Sequence, residues 1–110
     1  MRELVNRLIE LQELEIVHQE STILHKDNPP DELVQLKVRI DALREGVPSN
    51  SLARYDGHRR TGLGVVREVG GVCRGCYLNV TMGDLGRMRR EEIPWICPNC
   101  GRFLQVTSDA

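Results

Sequence analysis

Aromatic residues are scarce in this 110-residue chain: Tyr55, Tyr77, Trp95 and Phe103 are the whole set, and none precedes position 55. So few large side chains cannot build a generous core over the second half, so a further source of folding energy is expected there. No apolar run approaches the length of a membrane span, and the N-terminus lacks the features of a signal peptide. A cytoplasmic protein without a membrane partner is therefore expected. Lysine is missing from residues 47–110, which hold nine Arg against six Asp/Glu, whereas residues 1–46 hold six Lys/Arg against ten Asp/Glu. The formal net charge of −1 hides this asymmetry. The basic bias of the second half is mild, well short of a strongly basic nucleic-acid binder. There is also no Ser-His-Asp arrangement and no phosphate-cradling glycine loop. No enzyme activity and no small-molecule substrate are expected.

What the chain does have is four cysteines in two pairs, Cys73-Arg74-Gly75-Cys76 and Cys97-Pro98-Asn99-Cys100, with 20 residues between them. Two Cys-x-x-Cys knuckles joined by such a loop carry the ligand spacing of a four-cysteine zinc site. Gly75 and Gly101 fall where a knuckle turn calls for positive φ, and Pro98 fixes φ at the start of the second turn. One structural zinc ion per chain, held by Cys73, Cys76, Cys97 and Cys100, is expected. Four thiolates fill its coordination shell and leave no place for a catalytic water. A thioredoxin-like redox pair would need a βαβ pattern around one Cys-x-x-Cys, and none is present.

Residues 2–26 contain no Gly or Pro and predict one long helix. Leu4, Val5, Leu8, Ile9, Leu11, Ile16 and Ile23 form one stripe, interrupted by Gln12, Glu15 and Gln19, while Leu14, Val17 and Leu24 lie on another face. Asp27 to Asp31, with Pro29-Pro30, is the expected turn, and Asn28 the expected cap of a second helix over about Asp31–Glu45. Its seam is Leu33, Leu36, Ile40 and Leu43, in the heptad pattern of a coiled coil. The arms are unequal, roughly 37 and 22 Å long. The overhanging Leu4, Val5, Leu8 and Ile9 must find cover. Ser49 is the expected cap of a short helix over about 50–58, a strand follows over 65–69, and Gly70-Gly71 turns it into the first knuckle. Thr81 or Asp84 starts another short helix, and residues 108–110 read as frayed. The fold class is α+β: a helical hairpin over 1–46, then a short helix, a strand and a four-cysteine zinc ribbon over 47–110.

From about Pro48 to Val106 the sequence resembles the bacterial C4-type zinc-ribbon family, in which a helical hairpin precedes a ribbon. The residues that carry the likeness are Tyr55 followed by Arg59, Gly62-x-Gly64-Val65-Val66, Gly71-Val72-Cys73-Arg74-Gly75-Cys76 and Cys97-Pro98-Asn99-Cys100-Gly101-Arg102. The resemblance implies a zinc-ligand role for the four cysteines, nucleic-acid binding, and links to transcription regulation. The hairpin departs from the family in being much shorter.

For contact with RNA or DNA the candidates are Arg54, Arg59, Arg60, Arg87, Arg89, Arg90 and Arg102, since a guanidinium forks onto phosphate and stacks on bases. The plainer reading is pairing with nearby acids or thiolates and a solvated face. Tyr77 and Trp95 are expected in the ribbon core, with base stacking as the alternative. His18 and His25 are expected at the seam edge rather than on a second metal. A different class of function stays open: a protein-interaction module, pairing with another copy or a protein partner through Leu4, Val5, Leu8, Ile9, Leu14, Val17 and Leu24. A disulfide oxidoreductase is the third reading.

Overall fold

A computed structural model of the chain describes residues 1–24 and 31–107. The expected turn and Asn28 cap, His25, the side chain of Leu24 and the tail 108–110 lie outside the described residues. Helix α1 spans Arg2–Leu24 and α2 Asp31–Glu45. The two pack on each other, with Leu33 and Ile40 of α2 buried and Leu36 and Leu43 half-buried along the expected seam. Ion pairs from Arg39 to Glu10 and from Arg44 to Glu15 cross between the arms.

Helix α3 spans Ser49–Arg59, one residue earlier than expected. Ser49 is not its cap. The Pro48 carbonyl already accepts the first helical bond from Leu52 N–H at 2.9 Å, so Pro48 takes the cap position and Ser49 becomes the first helical residue. The expected strand is β1, Val65–Val69, followed by β2 (Val72–Cys73), helix α4 (Met82–Arg89) and β3 (Phe103–Gln105). Thr81 caps α4, its hydroxyl accepting from Asp84 N–H at 3.1 Å. The sheet order is β2-β1-β3. β1 runs antiparallel to β2, with Glu68 opposite Cys73, and parallel to β3, with Val65 opposite Phe103. Gly70 and Gly71 make the β1–β2 turn at φ +61 and +82.

The overhanging end of α1 finds its cover inside the chain. Val5, Leu8 and Leu11 are fully buried, in one core with Val65, Val66, Trp95, Phe103 and Leu104. This core also holds Tyr55, Leu85 and Met88, so hairpin and ribbon share it. Trp95 is buried as expected, its indole N–H donating to the Met88 carbonyl at 2.5 Å, with the Arg2 guanidinium 5.5 Å above the ring.

The residues that break the apolar stripe of α1 turn out to be its docking groups. The Gln12 side chain is buried and donates to the Val65 carbonyl at 3.0 Å. Its oxygen accepts from Gly64 N–H at 2.8 Å and from Val65 N–H at 3.0 Å, so it fills the hydrogen-bonding edge where β1 begins. One turn on, Glu15 accepts from the Tyr55 hydroxyl at 2.5 Å and from Arg44 at 3.0 Å, and Arg44 also forks onto Asp56. Gln19 accepts from Arg59 at 3.2 Å. One polar stripe of α1 thus binds β1, α2 and α3 in turn. Burial, and then the neighbouring Glu15 carboxylate, push the Tyr55 hydroxyl well above its ordinary pKa, so it remains a donor. Gly64 is needed for close approach, because a Cβ there would stand 2.5 Å from Cδ1 of the buried Tyr55 ring.

Candidate metal centre and arginine surface

The two knuckles are built alike. In the first, Tyr77 N–H donates to Cys73 O (2.8 Å), Cys73 N–H to Leu78 O (3.0 Å) and Gly75 N–H to Cys73 Sγ (3.4 Å). In the second, Gly101 N–H donates to Cys97 O (2.9 Å), Cys97 N–H to Arg102 O (2.9 Å) and Asn99 N–H to Cys97 Sγ (3.4 Å). Each loop closes the same three bonds at the same offsets. This equivalence corrects the expectation for Gly75. The left-handed position follows the second cysteine of each pair, and it is held by Gly101 at φ +76 and by Tyr77 at φ 60. Gly75 is small for another reason: a Cβ there would meet the Val66 methyls at 3.0 and 3.2 Å.

The result is one cluster. The four sulfur atoms lie within 4.8 Å of one another, with Cys73 to Cys100 and Cys76 to Cys97 both at 3.8 Å. A tetrahedral centre with metal–sulfur bonds of about 2.3 Å has sulfur–sulfur edges of about 3.8 Å. Both of these pairs join opposite knuckles, and all four thiols are free. Cys73 and Cys97 are buried, while Cys76 and Cys100 are half-buried. Burial pushes Cys73 up and Cys97 up to about 12. At Cys100 burial acts the same way, but the Arg102 backbone N–H and guanidinium, with the neighbouring thiols, outweigh it and bring the group down to about 7. Cation binding here must displace protons from the buried pair. Among the described residues this is the one His, Cys, Asp or Glu group placed to hold a metal ion. His18 is half-buried in a groove with Glu15, Lys37, Asp56 and Arg59, and it is not one of a set of side chains close enough to share a metal ion.

The arginines named from the sequence fall into two sets. Arg87 pairs with Asp84 at 3.1 Å and Arg90 with Glu92, while Arg89 donates to the Thr107 carbonyl at 2.9 Å. All three sit on or at the end of α4. The other set makes no bond to a carboxylate. Arg54 donates to Gly101 O (3.1 Å), Arg59 to Gly62 O (2.9 Å) and Gln19, and Arg102 to Leu63 O (2.8 Å). Arg60 is exposed, with no side-chain partner among the described residues. Two arginines that sequence reasoning passed over, Arg67 on β1 and Arg74 in the first knuckle, are also exposed and without partners among the described residues. They flank a groove of about 280 Å³ between α1 and β1, lined by Ile9, Glu13, Leu63 and Val69. Their signal was present in the sequence: Arg67 alternates with valines along a strand, and Arg74 lies between two ligands.

Of the proposed helix-interaction face, Val5 and Leu8 are buried inside the chain, and Leu4, Ile9 and Leu14 pack against the same core. Val17 is exposed. Tyr77 departs from the core expectation: it is 68% exposed. Sequence reasoning also missed Glu68, a buried carboxylate that accepts from Gly71 N–H (2.8 Å), Thr107 N–H (3.0 Å) and the Thr107 hydroxyl (2.8 Å). Burial would raise its pKa, but these three donors and the nearby Arg89 outweigh it, and the carboxyl titrates below its ordinary value. Among the described residues no helix is long and apolar enough to cross a membrane.

Comparison of the chain with protein-family models, with curated proteins and with solved structures gives no match.

Proposed function

We propose that the chain is a non-enzymatic regulatory or adaptor protein in which one structural zinc ion joins the two knuckles and an arginine surface binds RNA or DNA. A tetrahedral set of four thiolates is the donor set preferred by zinc, with iron as the competitor. A closed shell of four protein ligands favours a structural role. The observation that carries the nucleic-acid reading is the distribution of charge partners. Seven of the nine guanidinium groups in residues 47–110, those of Arg54, Arg59, Arg60, Arg67, Arg74, Arg89 and Arg102, have no carboxylate ion pair among the described residues, and all but Arg89 lie on or next to α3, β1 and the two knuckles. A guanidinium bonded to a carbonyl keeps its full charge and its free N–H groups, ready for a forked contact with phosphate. Arg87 and Arg90 already have carboxylate partners and are secondary.

The test is fluorescence anisotropy of the zinc-loaded protein with labelled oligonucleotides between 50 and 200 mM salt. Binding should weaken steeply with salt, and the triple variant Arg60→Ala, Arg67→Ala, Arg74→Ala should flatten the duplex slope by about 2.7, some 0.9 for each phosphate no longer neutralised. No binding at 50 mM salt would reject the reading. A second reading, self-association, is favoured by Val34 and Val38, one turn apart on α2 and both mostly exposed. Light scattering that finds a monomer at all concentrations would remove it.

A further inference from the structure

We propose that Tyr77 is a stacking platform for an unpaired base, so that the preferred ligand of the arginine surface is single-stranded nucleic acid; this rests on the reading above. The twin knuckles supply the comparison. At the equivalent position the second knuckle has Gly101 at φ +76, the residue that reaches the left-handed region without penalty, whereas the first has Tyr77 at φ 60. A bulky residue held there is disfavoured, and such strain gathers at functional positions. Packing does not account for it. The residue is 68% exposed, and its hydroxyl has no hydrogen-bond partner among the described residues.

The ring's foundation is rigid. Bonds from Tyr77 N–H to Cys73 O and from Cys73 N–H to Leu78 O fix its backbone, and the Asn99 side chain ties Asn79 O to the opposite knuckle at 3.1 Å. An aromatic face presented this way needs little further ordering on binding. Its surroundings select the ligand. Residues 74–80 contain no acid, Arg74 is exposed in the same turn, and Leu78 and Met82 are also exposed, at 53% and 86%. A polyanion with flat faces fits both features, the phosphate on Arg74 and the base on Tyr77. In a duplex the bases are already stacked on each other, so an exposed ring gains its full contact only from an unpaired one.

The experiment uses the zinc-loaded full chain, a labelled unstructured 12-nucleotide RNA and a 12-base-pair duplex. Tyr77→Phe should keep single-strand affinity within about twofold, while Tyr77→Ala and Tyr77→Gly should weaken it about 5- to 150-fold, the worth of one stacked base. Duplex affinity and the salt slope should not change in these variants. Arg74→Ala should weaken both ligands and reduce the single-strand salt slope by about 0.7. Tyr77→Gly relieves the backbone strain and should unfold at a higher temperature than wild type, so its lower affinity cannot be blamed on misfolding. Tyr77→Ala binding the single strand as wild type does, or weakening both ligands alike, overturns the proposal and returns the exposed patch to a protein contact. If the wild-type protein binds neither ligand at low salt, the arginine reading falls and this one with it.

Discussion

Replacing Gln12 by Ala removes three hydrogen bonds at once, and the groups left behind have nowhere to go. The Gly64 and Val65 N–H groups and the Val65 carbonyl all face the Gln12 side chain, and both residues are buried. A buried polar group that loses its partner costs about 1–3 kcal/mol. Three of them, discounted because a water can reach part of a truncated site, give about 3–5 kcal/mol. Gln12→Leu tests the same point with the volume restored, and should still cost about 2–4 kcal/mol because an apolar side chain leaves the strand edge unpaired. For a domain of this size the urea slope is about 1–1.5 kcal/mol per molar, so the midpoint should fall by about 2–5 M in Gln12→Ala. The assay is urea unfolding at saturating zinc, followed both by far-ultraviolet circular dichroism and by the emission of Trp95. The two probes should move together, since α1 and the ribbon share a core. A destabilisation below about 0.5 kcal/mol in both variants, the low end for a single hydrogen bond, would show that Gln12 is incidental and that apolar contact alone docks the hairpin.

Further outcomes follow from the same geometry. Cys97→Ser, or a strong chelator, should release the metal and reduce the helical signal of the hairpin as well as unfolding the ribbon, because Val5, Leu8 and Leu11 lose their cover; native mass spectrometry counts the metal, and an unchanged helical signal would refute the shared-core argument. Gly64→Ala should destabilise by about 1–3 kcal/mol through its clash with the buried Tyr55 ring, read as a shift in the urea midpoint. Glu68 has a lowered folded-state pKa, so its stabilising contribution is fully present above the unfolded carboxylate value of about 4.3 and is lost as the pH falls through the lower folded value. The stability gap between wild type and Glu68→Gln should therefore be flat above about pH 5 and narrow below about pH 4.3; a gap independent of pH would refute it.

The parts of the fold that are legible in the sequence are those that local chemistry decides. Cysteine spacing predicts the cluster because a knuckle closes within a few residues, and the α2 bounds and the Thr81 cap follow from signals within one helical turn. Glu68 is not legible. It sits in Val65-Val66-Arg67-Glu68-Val69, where hydropathy would turn Val69 inward, yet Val69 is 43% exposed and Glu68 is buried. Its reason lies 39 residues away, in the Thr107 N–H and hydroxyl that it satisfies. Gly75 misleads for a related cause: a glycine between two ligands suggests φ, whereas the constraint is the Val66 side chain across the sheet.

The first helix makes the same point about function. Gln12, Glu15 and Gln19 look like defects in an apolar stripe, and an amphipathic helix with defects and a second apolar face invites an external partner. Each polar residue proves to be matched to one internal element: Gln12 to the edge of β1, Glu15 to Tyr55 and Arg44, Gln19 to Arg59. With Val5 and Leu8 also buried within the chain, the apolar surface that α1 leaves open is confined to its far end, at Val17 and Ile23. Arg59 shows what this does to the charges. Its bonds go to an amide and a carbonyl rather than a carboxylate, so the contact that docks α3 on the hairpin leaves its positive charge uncancelled. The same holds for Arg54 at the second knuckle, whereas the Arg102 guanidinium also lies against the Cys100 sulfur. Bracing by neutral oxygens fixes these side chains in place while preserving their attraction for an anion, which is why the arginine surface is the first place to seek a partner.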